Sequence, residues 1–234
     1  MPSHTEPSPA SSPKVWALIP AYNEARRIAE VVAGARPYVD RVLVVDDGST
    51  DGTADAAAVA GALVIRHDQN RGKGAALRSG AAFIRNAGGG VVICLDADGQ
   101  HDPAEIPKFL AAHRRTGLKV LIGNRMADPS GMPWIRRLTN RIMSAWLSRE
   151  MGQYVPDTQC GYRLFAGEVL QMLDTQTDRF AADSEILLQV AAHRIRIGAV
   201  RIRTIYRDER SKIRPLRDAI RFFRLLRQWR RRQV

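Results

Sequence analysis

Short apolar runs alternate with stretches of helical spacing along the first half of the chain. Five runs have the length and β-branched content of buried strands, and they begin at Val15, Arg41, Leu63, Val91 and Val120. Helical spacing is found over residues 24–35 and 74–86. This alternation predicts an α/β fold with a mostly parallel sheet and helices on both faces.

The alternation weakens in the second half of the chain. Residues 134–151 have the spacing of an amphipathic helix, with Trp134, Leu138 and Ile142 along one side and three arginines on the other. No internal repeat is present in the sequence. The first half therefore carries most of the information about the fold.

Polar clusters follow three of the predicted strands, at residues 21–24, 46–51 and 96–100. Open parallel sheets bind their ligands beyond the carboxyl ends of the strands. The sequence therefore predicts that these clusters form one site at that edge of the sheet.

Length and composition indicate one globular domain. The chain has 234 residues, of which 45% are hydrophobic, and this is enough for one α/β core. Cys94 and Cys160 lack zinc-site and Cys-x-x-Cys spacing, which suits a reducing cytoplasm. No apolar run reaches the roughly 18–20 residues that span a bilayer. Residues 1–13, rich in serine and proline, predict a disordered tail rather than a signal peptide.

The positive charge is concentrated at the end of the chain. The net charge is +12, and residues 201–234 hold thirteen basic residues against three acidic ones. Residues 213–234 have apolar and arginine positions at helical spacing, which predicts a basic amphipathic helix lying in a membrane interface. Packing on the protein's own domain and nucleic-acid binding are the alternatives for this segment.

Asp96-Ala97-Asp98-Gly99-Gln100 is the strongest candidate for chemistry. Two carboxylates two positions apart, directly after a buried strand, can face one ligand if the chain turns there. Their oxygens suit Mg²⁺ or Mn²⁺, which proteins often hold through one or two carboxylates plus substrate phosphates. A solvated loop is the alternative interpretation.

Two further clusters have the chemistry of a nucleotide site. Asp47, after the second predicted strand, is able to accept hydrogen bonds from a base or a ribose; a turn with a helix cap is the alternative. Lys73 lies in the glycine-bracketed loop 70–74 before a helix, where backbone N–H groups and the helix dipole favour anions. A flexible loop is the alternative there.

Together these motifs resemble the family 2 glycosyltransferases, in particular the dolichyl- and polyprenyl-phosphate mannose and glucose synthases. The matching stretches, in order, are IPAYNE (19–24), VDDGSTDGT (45–53), NRGKGAA (70–76), DADGQHDP (96–103) and DTQCGYR (157–163). The resemblance covers roughly residues 14–212. It implies a GT-A fold over residues 14–212. It also implies inverting transfer of a hexose from UDP-glucose or GDP-mannose to a polyprenyl (dolichyl or undecaprenyl) phosphate.

The resemblance also implies the positions of the site residues. The nucleotide-sugar site would comprise Pro20, Tyr22, Glu24, Asp47, Lys73, Asp96 and Lys212. The metal ligands, for Mg²⁺ or Mn²⁺, would be Asp96, Asp98 and Gln100. The acceptor phosphate would face Arg125 and Arg137. The catalytic set would be Asp98, Arg125, Asp183 and Glu185, with the last two positioning the reactants.

Two departures from the family pattern bear on these expectations. Arg210 stands where the family usually has glycine, shortly before Lys212. Residues 157–161 are closer to the glucose-type variant of the family, which favours UDP-glucose as donor.

The expected location is the cytoplasm, peripheral on the cytoplasmic face of a membrane, with a membrane-anchored partner subunit possible and no nucleic acid. One alternative is an enzyme of the same fold acting on a soluble or different lipid acceptor. A nucleotidyltransferase would need a glycine-rich loop after the first strand, and residues 21–24 are not glycine-rich. The remaining alternative is a non-catalytic protein that binds membranes or nucleic acid.

Overall fold

The computed structural model describes residues 13–172, 181–203, 205, 227 and 229. Its strands are β1 (Val15–Ala21), β2 (Arg41–Asp46), β3 (Leu63–Arg66), β4 (Val91–Cys94), β5 (Val120–Asn124), β6 (Arg163–Phe165) and β7 (Ile197–Arg201). In the described part of the chain they form one sheet with the order β3-β2-β1-β4-β6-β5-β7. Each strand is a short apolar run, as expected for strands covered on both faces.

Helices connect most of the strands. They are α1 (Ile28–Ala35), α2 (Thr53–Val59), α3 (Lys73–Asn86), α4 (Ile106–Thr116), α5 (Trp134–Met151), α6 (Gly167–Met172) and α7 (Ala181–Ala192). Gly117 and Gly152 end α4 and α5 with φ near +65°, a conformation that glycine adopts without steric cost.

The sheet is parallel except at β6. β1 pairs in parallel with β2 and β4, and β5 pairs in parallel with β7. β6 is antiparallel to both β4 and β5, so β4 and β5 run in the same direction. The predicted α/β fold with a mostly parallel sheet is confirmed.

Side chains of alternate strand positions build a core on each face of the sheet. In β1, Ala17 and Ile19 join the core that contains Val32 of α1 and Phe109 of α4. Trp16 and Leu18 point to the other face. There they meet residues of α3, α6 and α7, namely Leu77, Ile84, Val169, Ile186 and Val190. The helices therefore lie on both faces, as the sequence predicts.

Two of the predicted segments fall largely outside the described residues. These are the tail 1–13 and the basic helix 213–234, of which the structure describes residues 13, 227 and 229. Both stay predictions. Where the structure describes the chain, none of its helices has the length and apolar character needed to cross a membrane.

Candidate active site at the carboxyl edge of the sheet

The loops that follow β1, β2, β4 and β5 meet at one edge of the sheet. These four strands run in the same direction, so all of them end there. Because β6 runs the opposite way, the loop 157–162 that precedes it enters at the same edge. The topology therefore adds a fifth loop to the three polar clusters that the sequence places at strand ends.

A lysine at this edge joins two carboxylates from distant parts of the chain. Lys73, the first residue of α3, donates to Asp96 Oδ1 over 2.6 Å and to Asp183 Oδ2 over 2.9 Å. All three side chains are partly exposed, Lys73 by 23%, Asp96 by 31% and Asp183 by 14%. They form a charged cluster with one cation and two anions that a ligand can reach.

Gly161 allows this cluster to form. A Cβ atom at this position would lie 2.5 Å from Asp96 Oδ2 and 2.9 Å from Lys73 Nζ. Both separations are shorter than nonbonded atoms tolerate, so a larger residue there would push the ends of the Asp96 and Lys73 side chains aside.

Opposite charges keep Lys73 and Asp96 ionised. Burial alone lowers the pKa of Lys73, but the charges of Asp183 and Asp96 outweigh it and raise the pKa above its usual value. Burial alone raises the pKa of Asp96, but the charge of Lys73 and its hydrogen bond to the carboxylate outweigh it and bring the pKa well below its usual value. At neutral pH Lys73 is therefore an ammonium group and Asp96 a carboxylate.

The pKa of Asp98 is shifted in the opposite direction to that of Asp96. Burial, and then the charge of Asp96, raise the pKa of Asp98 above its ordinary value. Its Oδ1 accepts the backbone N–H of Gln100 at 2.9 Å. Two neighbouring carboxylates that repel each other are stabilised by a cation placed between them.

The donor set fits Mg²⁺ or Mn²⁺. In the described ranges no group of three or more His, Cys, Asp or Glu side chains converges on one point. A cation held here would have at most the two predicted carboxylates, Asp96 and Asp98, and the phosphates of a nucleotide would complete its coordination shell. The predicted third ligand, Gln100, has its Oε1 at 3.4 Å from Arg136 Nη2. Its place in the shell stays a prediction.

Asp47 lies in a closed network beneath the site. Its carboxylate is 3% exposed. Oδ1 lies 2.7 Å from His67 Nδ1 and accepts the backbone N–H of Arg71, while Oδ2 accepts that of Gly72 at 2.7 Å. Ser79 Oγ holds the other side of the His67 ring at 2.9 Å. Asp47 thus fastens the loop before α3 to the end of β2 and so positions Lys73; its predicted nucleoside contact stays a prediction.

The loop after β1 is tied to the loop after β2. Asn23, at φ 54°, donates its backbone N–H to Ser49 Oγ, and Glu24 donates its own to Thr53 Oγ1. Tyr22 projects outward, with 45% of its surface exposed. These bonds fix two of the predicted nucleoside residues, Tyr22 and Glu24, beside the loop that contains Asp47.

Pro20 lies on a different side of the cluster. It lines an apolar cavity together with Lys73, Asp96, Asp183 and Arg163. Apolar side chains from β1, β4, α3 and α7 form most of the remaining wall, among them Leu18, Leu77, Cys94 and Ile186. Pro20 therefore lines the cavity behind the charged cluster.

Arg125 is held in a buried ion pair. Its Nε and Nη2 donate to Asp157 Oδ2 and Oδ1 at 2.7 and 2.9 Å, and its backbone N–H donates to the same carboxylate. Asp157 is fully buried and Arg125 is 4% exposed. This bidentate pair joins the end of β5 to the loop before β6. The predicted contact of Arg125 with an acceptor phosphate stays a prediction.

The acidic pair Asp183 and Glu185 splits into two environments. Asp183 belongs to the charged cluster with Lys73, whereas Glu185 is 1% exposed. Arg163 reaches Asp183 from below, with Nη1 donating to its backbone oxygen at 2.7 Å and lying 3.4 Å from its Oδ1. Only Asp183 of this pair is thereby placed beside Asp96.

The two remaining predicted residues are Arg137 and Lys212. Arg137 is half-buried in the first turn of α5, and its Nε has no hydrogen-bond partner among the described residues. Lys212 lies outside the residues that the structure describes.

Three site residues were not predicted from the sequence. Asp157 and Arg163 are buried charges that hold the loop 157–162, and His101 packs its ring near Asp96, with Nδ1 accepting the Asp96 backbone N–H at 3.1 Å. Asp157 and Arg163 lie within the stretch 157–163 that resembles the family, and His101 lies within 96–103. Membership of those stretches was the available signal, and for Asp157 it stood alone because its partner Arg125 is 32 positions away.

A mostly parallel sheet with a pair of carboxylates after β4 is the arrangement of a GT-A glycosyltransferase. The sequence profile of glycosyl transferase family 2 matches residues 16–173. The chain belongs to this family.

Similar proteins include enzymes named for lipid-phosphate acceptors. The chain is 30% identical over 217 residues to the UDP-N-acetylglucosamine–dolichyl-phosphate N-acetylglucosaminyltransferase of Methanococcus voltae, over 83% of this chain and 86% of that protein. It is 34% identical over 170 residues to the polyprenol monophosphomannose synthase of Mycolicibacterium smegmatis, over 67% of this chain and 63% of that protein. The predicted resemblance to this branch of the family is confirmed.

A solved structure of a sugar-phosphoglycerate synthase has the same fold. Glucosyl-3-phosphoglycerate synthase from Mycobacterium tuberculosis, in complex with phosphoglyceric acid, aligns with a TM-score of 0.70 at 25% identity, over 91% of this chain and 76% of that chain. Another structure of that synthase holds Mn²⁺, UDP and glucosyl-3-phosphoglycerate. At 23% identity, a TM-score of 0.68 and the same coverage, 91% and 76%, its likeness shows the fold alone.

Proposed function

We propose that this chain transfers a hexose from a nucleotide diphosphate to the phosphate of a polyprenyl phosphate, with inversion at the anomeric carbon. The reaction uses Mg²⁺ or Mn²⁺. The observation that carries the proposal is the cluster at the carboxyl edge of the sheet. There Lys73 joins Asp96 to Asp183, and Asp98 lies close enough to Asp96 for the two charges to interact.

The bond changes define what the site must do. An oxygen of the acceptor phosphate forms a bond to the anomeric carbon while the bond from that carbon to the diphosphate breaks. The electron pair of the broken bond stays on the leaving nucleoside diphosphate. Asp96 and Asp98 would hold the divalent cation, which supplies positive charge to the diphosphate when bound. Lys73 adds an ammonium group beside Asp96, 2.6 Å from its Oδ1.

The ion pairs of Asp183 agree with a reaction in which a phosphate is the nucleophile. A phosphate is already anionic near neutral pH and needs no strong general base. Asp183 is ion-paired with Lys73 and Arg163, so its carboxylate serves to orient cations. Arg137 is a candidate for the acceptor phosphate, because its buried Nε has no hydrogen-bond partner among the described residues.

We propose a class of nucleotide-sugar donors rather than one donor. The relatives are named for N-acetylglucosamine and for mannose, and the sequence around residues 157–161 favours UDP-glucose. UDP-glucose, UDP-N-acetylglucosamine and GDP-mannose are therefore the donors to compare. Lys212 is proposed to contact the diphosphate.

A second candidate acceptor is a small soluble phosphate ester. The likeness to a synthase crystallised with phosphoglyceric acid favours it. The same donor site and charged cluster would serve this reaction, so acceptor assays separate the two candidates.

We further propose a peripheral position on the cytoplasmic face of a membrane, aided by the basic segment 213–234. The peripheral position is compatible with a membrane-anchored partner subunit. No contact with nucleic acid is expected. Because the proposed acceptor is a lipid, the enzyme would have to work at a membrane surface.

Sugar transfer tests the proposed function. Purified protein with Mn²⁺ is incubated with each of the three donors and either a polyprenyl phosphate or 3-phosphoglycerate. Transfer into the organic phase, from one donor, abolished by EDTA and by Asp98→Asn, is the expected result. The exposed Asp68 provides a matched control, because Asp68→Asn removes a carboxylate outside the site. Transfer to the soluble acceptor alone would replace the lipid acceptor with the second candidate.

A further inference from the structure

Helix α5 turns its apolar side outward. The exposed fractions are 72% for Trp134, 51% for Ile135, 50% for Leu138, 48% for Ile142 and 45% for Trp146. At 3.6 residues per turn these five side chains share one side of the helix. We call this surface the α5 apolar face.

Three of the four buried residues of α5 are polar, and the fourth is Leu147. Asn140, Ser144 and Ser148 are buried. Ser144 Oγ accepts the backbone N–H of Thr158 at 2.9 Å, and Ser148 Oγ accepts that of Val155 at 3.0 Å. A surface helix of a globular protein ordinarily buries its apolar stripe and exposes its polar one. α5 therefore exposes most of its apolar stripe, while hydrogen bonds to residues 155–158 and the packing of Leu147 hold its other side against the domain.

The charged side chains beside this face are positive. Arg141 and Arg149 are exposed beside the apolar side chains. From residue 134 to residue 149 the helix contains no aspartate or glutamate. A contiguous apolar surface that includes two tryptophans and two arginines, without acids, complements an anionic layer with an apolar interior.

We infer that the α5 apolar face docks into the interfacial region of an anionic lipid bilayer. Tryptophan side chains favour the headgroup level, and arginines beside them pair with lipid phosphates. A second copy of the chain fits less well, since a two-fold contact through this face would bring its arginines together. Residues 213–234 are themselves rich in arginine, and Trp229, which is described, packs partly buried against the domain core.

Docking through α5 would also orient the site. Arg136, in the first turn of α5, has Nη2 3.4 Å from Gln100 Oε1. The loop with Asp96 and Asp98 therefore lies beside the docked helix, at the level where lipid phosphates are found. This consequence rests on the proposed function, but the docking itself is measured without donor or acceptor.

A fluorescent probe on the face tests the docking directly. Cys94 and Cys160 are buried, so an NBD maleimide attached through Leu138→Cys reports on α5 alone. The matched control carries the probe through Val59→Cys, at an apolar position of α2 that is 90% exposed. The full-length protein is mixed with vesicles containing about 40% phosphatidylglycerol, and with vesicles of phosphatidylcholine alone.

The expected result is a blue shift and a gain in emission for the Leu138→Cys probe with anionic vesicles, and no change for the Val59→Cys probe. Co-sedimentation without that shift would overturn the inference, because another part of the chain would then hold the membrane. A shift that follows protein concentration without vesicles would assign the face to a second copy. A probe already shielded in the dilute protein and unchanged by vesicles would assign it to the chain itself.

Vesicle affinity gives a second measurement. Trp134→Ser with Leu138→Ser should weaken binding to anionic vesicles by at least about tenfold, because two anchors of the face are lost. Val59→Ser with Tyr154→Ser is the matched control, since both positions are exposed and lie outside α5. Equal loss in the two double variants would contradict the inference; circular dichroism verifies that both are folded. Vesicle binding without sugar transfer would leave the docking intact and reject only the proposed function.

Discussion

Two acidic motifs at the same edge of the sheet have very different environments. Asp46 is the last residue of β2 and Asp47 follows it, and Asp96 and Asp98 follow β4. Asp47 is 3% exposed and both of its oxygens accept hydrogen bonds from within the protein. Asp96 keeps 31% of its side-chain surface exposed and meets one lysine. We call them the closed motif and the open motif.

The difference lies in what the carboxylates are bonded to. In the closed motif the donors are His67 and the backbone N–H groups of Arg71 and Gly72, which form part of the fold. In the open motif a second carboxylate, Asp98, stands near Asp96 and has a raised pKa because burial and the charge of Asp96 disfavour ionisation. Carboxylates that accept hydrogen bonds from the protein stabilise its structure. Neighbouring carboxylates that repel each other favour the binding of a cation, because the cation offsets their repulsion.

The largest expected effect is the loss of activity in Asp98→Asn. The amide keeps the shape of the side chain but removes one of the two negative charges that would hold the cation. We expect the rate of sugar transfer to fall roughly 100-fold or more. Steady-state transfer rates at saturating Mn²⁺ provide the measurement, with Asp68→Asn as the control. A variant that retains most of its rate would contradict the role assigned to the open motif.

The second effect is a loss of stability in Asp47→Ala. This change leaves His67 and the two N–H groups of the loop without their acceptor in a buried place. We expect the free energy of unfolding to fall by about 3 kcal/mol. Urea denaturation followed by circular dichroism measures it. If stability stayed unchanged while nucleotide binding disappeared, Asp47 would be a ligand contact and the motif would not be closed.

Gly161→Ala tests the close approach at the open motif. The added Cβ would lie 2.5 Å from Asp96 Oδ2 and 2.9 Å from Lys73 Nζ. Both atoms are ends of side chains that can move, so we expect a stability loss of only about 1 kcal/mol. Displacing the Asp96 carboxylate should nevertheless slow transfer roughly tenfold. Parallel rate and denaturation measurements separate the two effects; a variant with normal transfer would show that this contact does not matter.

The smallest effect is a gain in stability. The folded-state pKa of Asp98 lies above its ordinary value of 3.8. A group of this kind stabilises the fold below the unfolded pKa and loses that contribution as pH rises through the folded pKa. Asp98→Asn should therefore be more stable than the wild type at pH 7 in metal-free buffer, with the difference shrinking on acidification. Thermal unfolding across pH measures it, and a less stable variant at pH 7 would oppose the assigned pKa direction.

The sequence predicts the parallel half of the fold well. The strands β1 to β5 are bounded by polar residues and glycines, so their apolar runs stand out, and the direction of the chain places their ends together. The sequence does not reveal β6, which has three residues, or β7, whose pairing with β5 depends on contacts remote in sequence. α7 is nearly all buried and lacks an apolar stripe, so its pattern does not indicate a helix.

Pairing within the site is equally hidden from the sequence. Nothing local indicates that Asp157 binds Arg125, or that Lys73 binds Asp183, which lies 110 positions further along the chain. Nor does spacing decide which side of α5 is buried, since the helix pattern is the same either way. Motif resemblance indicates which residues matter, while tertiary contacts determine which of them are closed and which are open.

Calorimetric titration of a nucleoside diphosphate into the protein tests the open motif most directly. Wild-type protein and Asp98→Asn are each titrated with UDP and with GDP, with Mn²⁺ and with EDTA. We predict that the wild type binds one of the nucleotides in Mn²⁺, that EDTA weakens this binding at least about tenfold, and that Asp98→Asn binds equally weakly in both buffers. Binding of equal strength with and without Mn²⁺ in the wild type would contradict the metal site at Asp96 and Asp98.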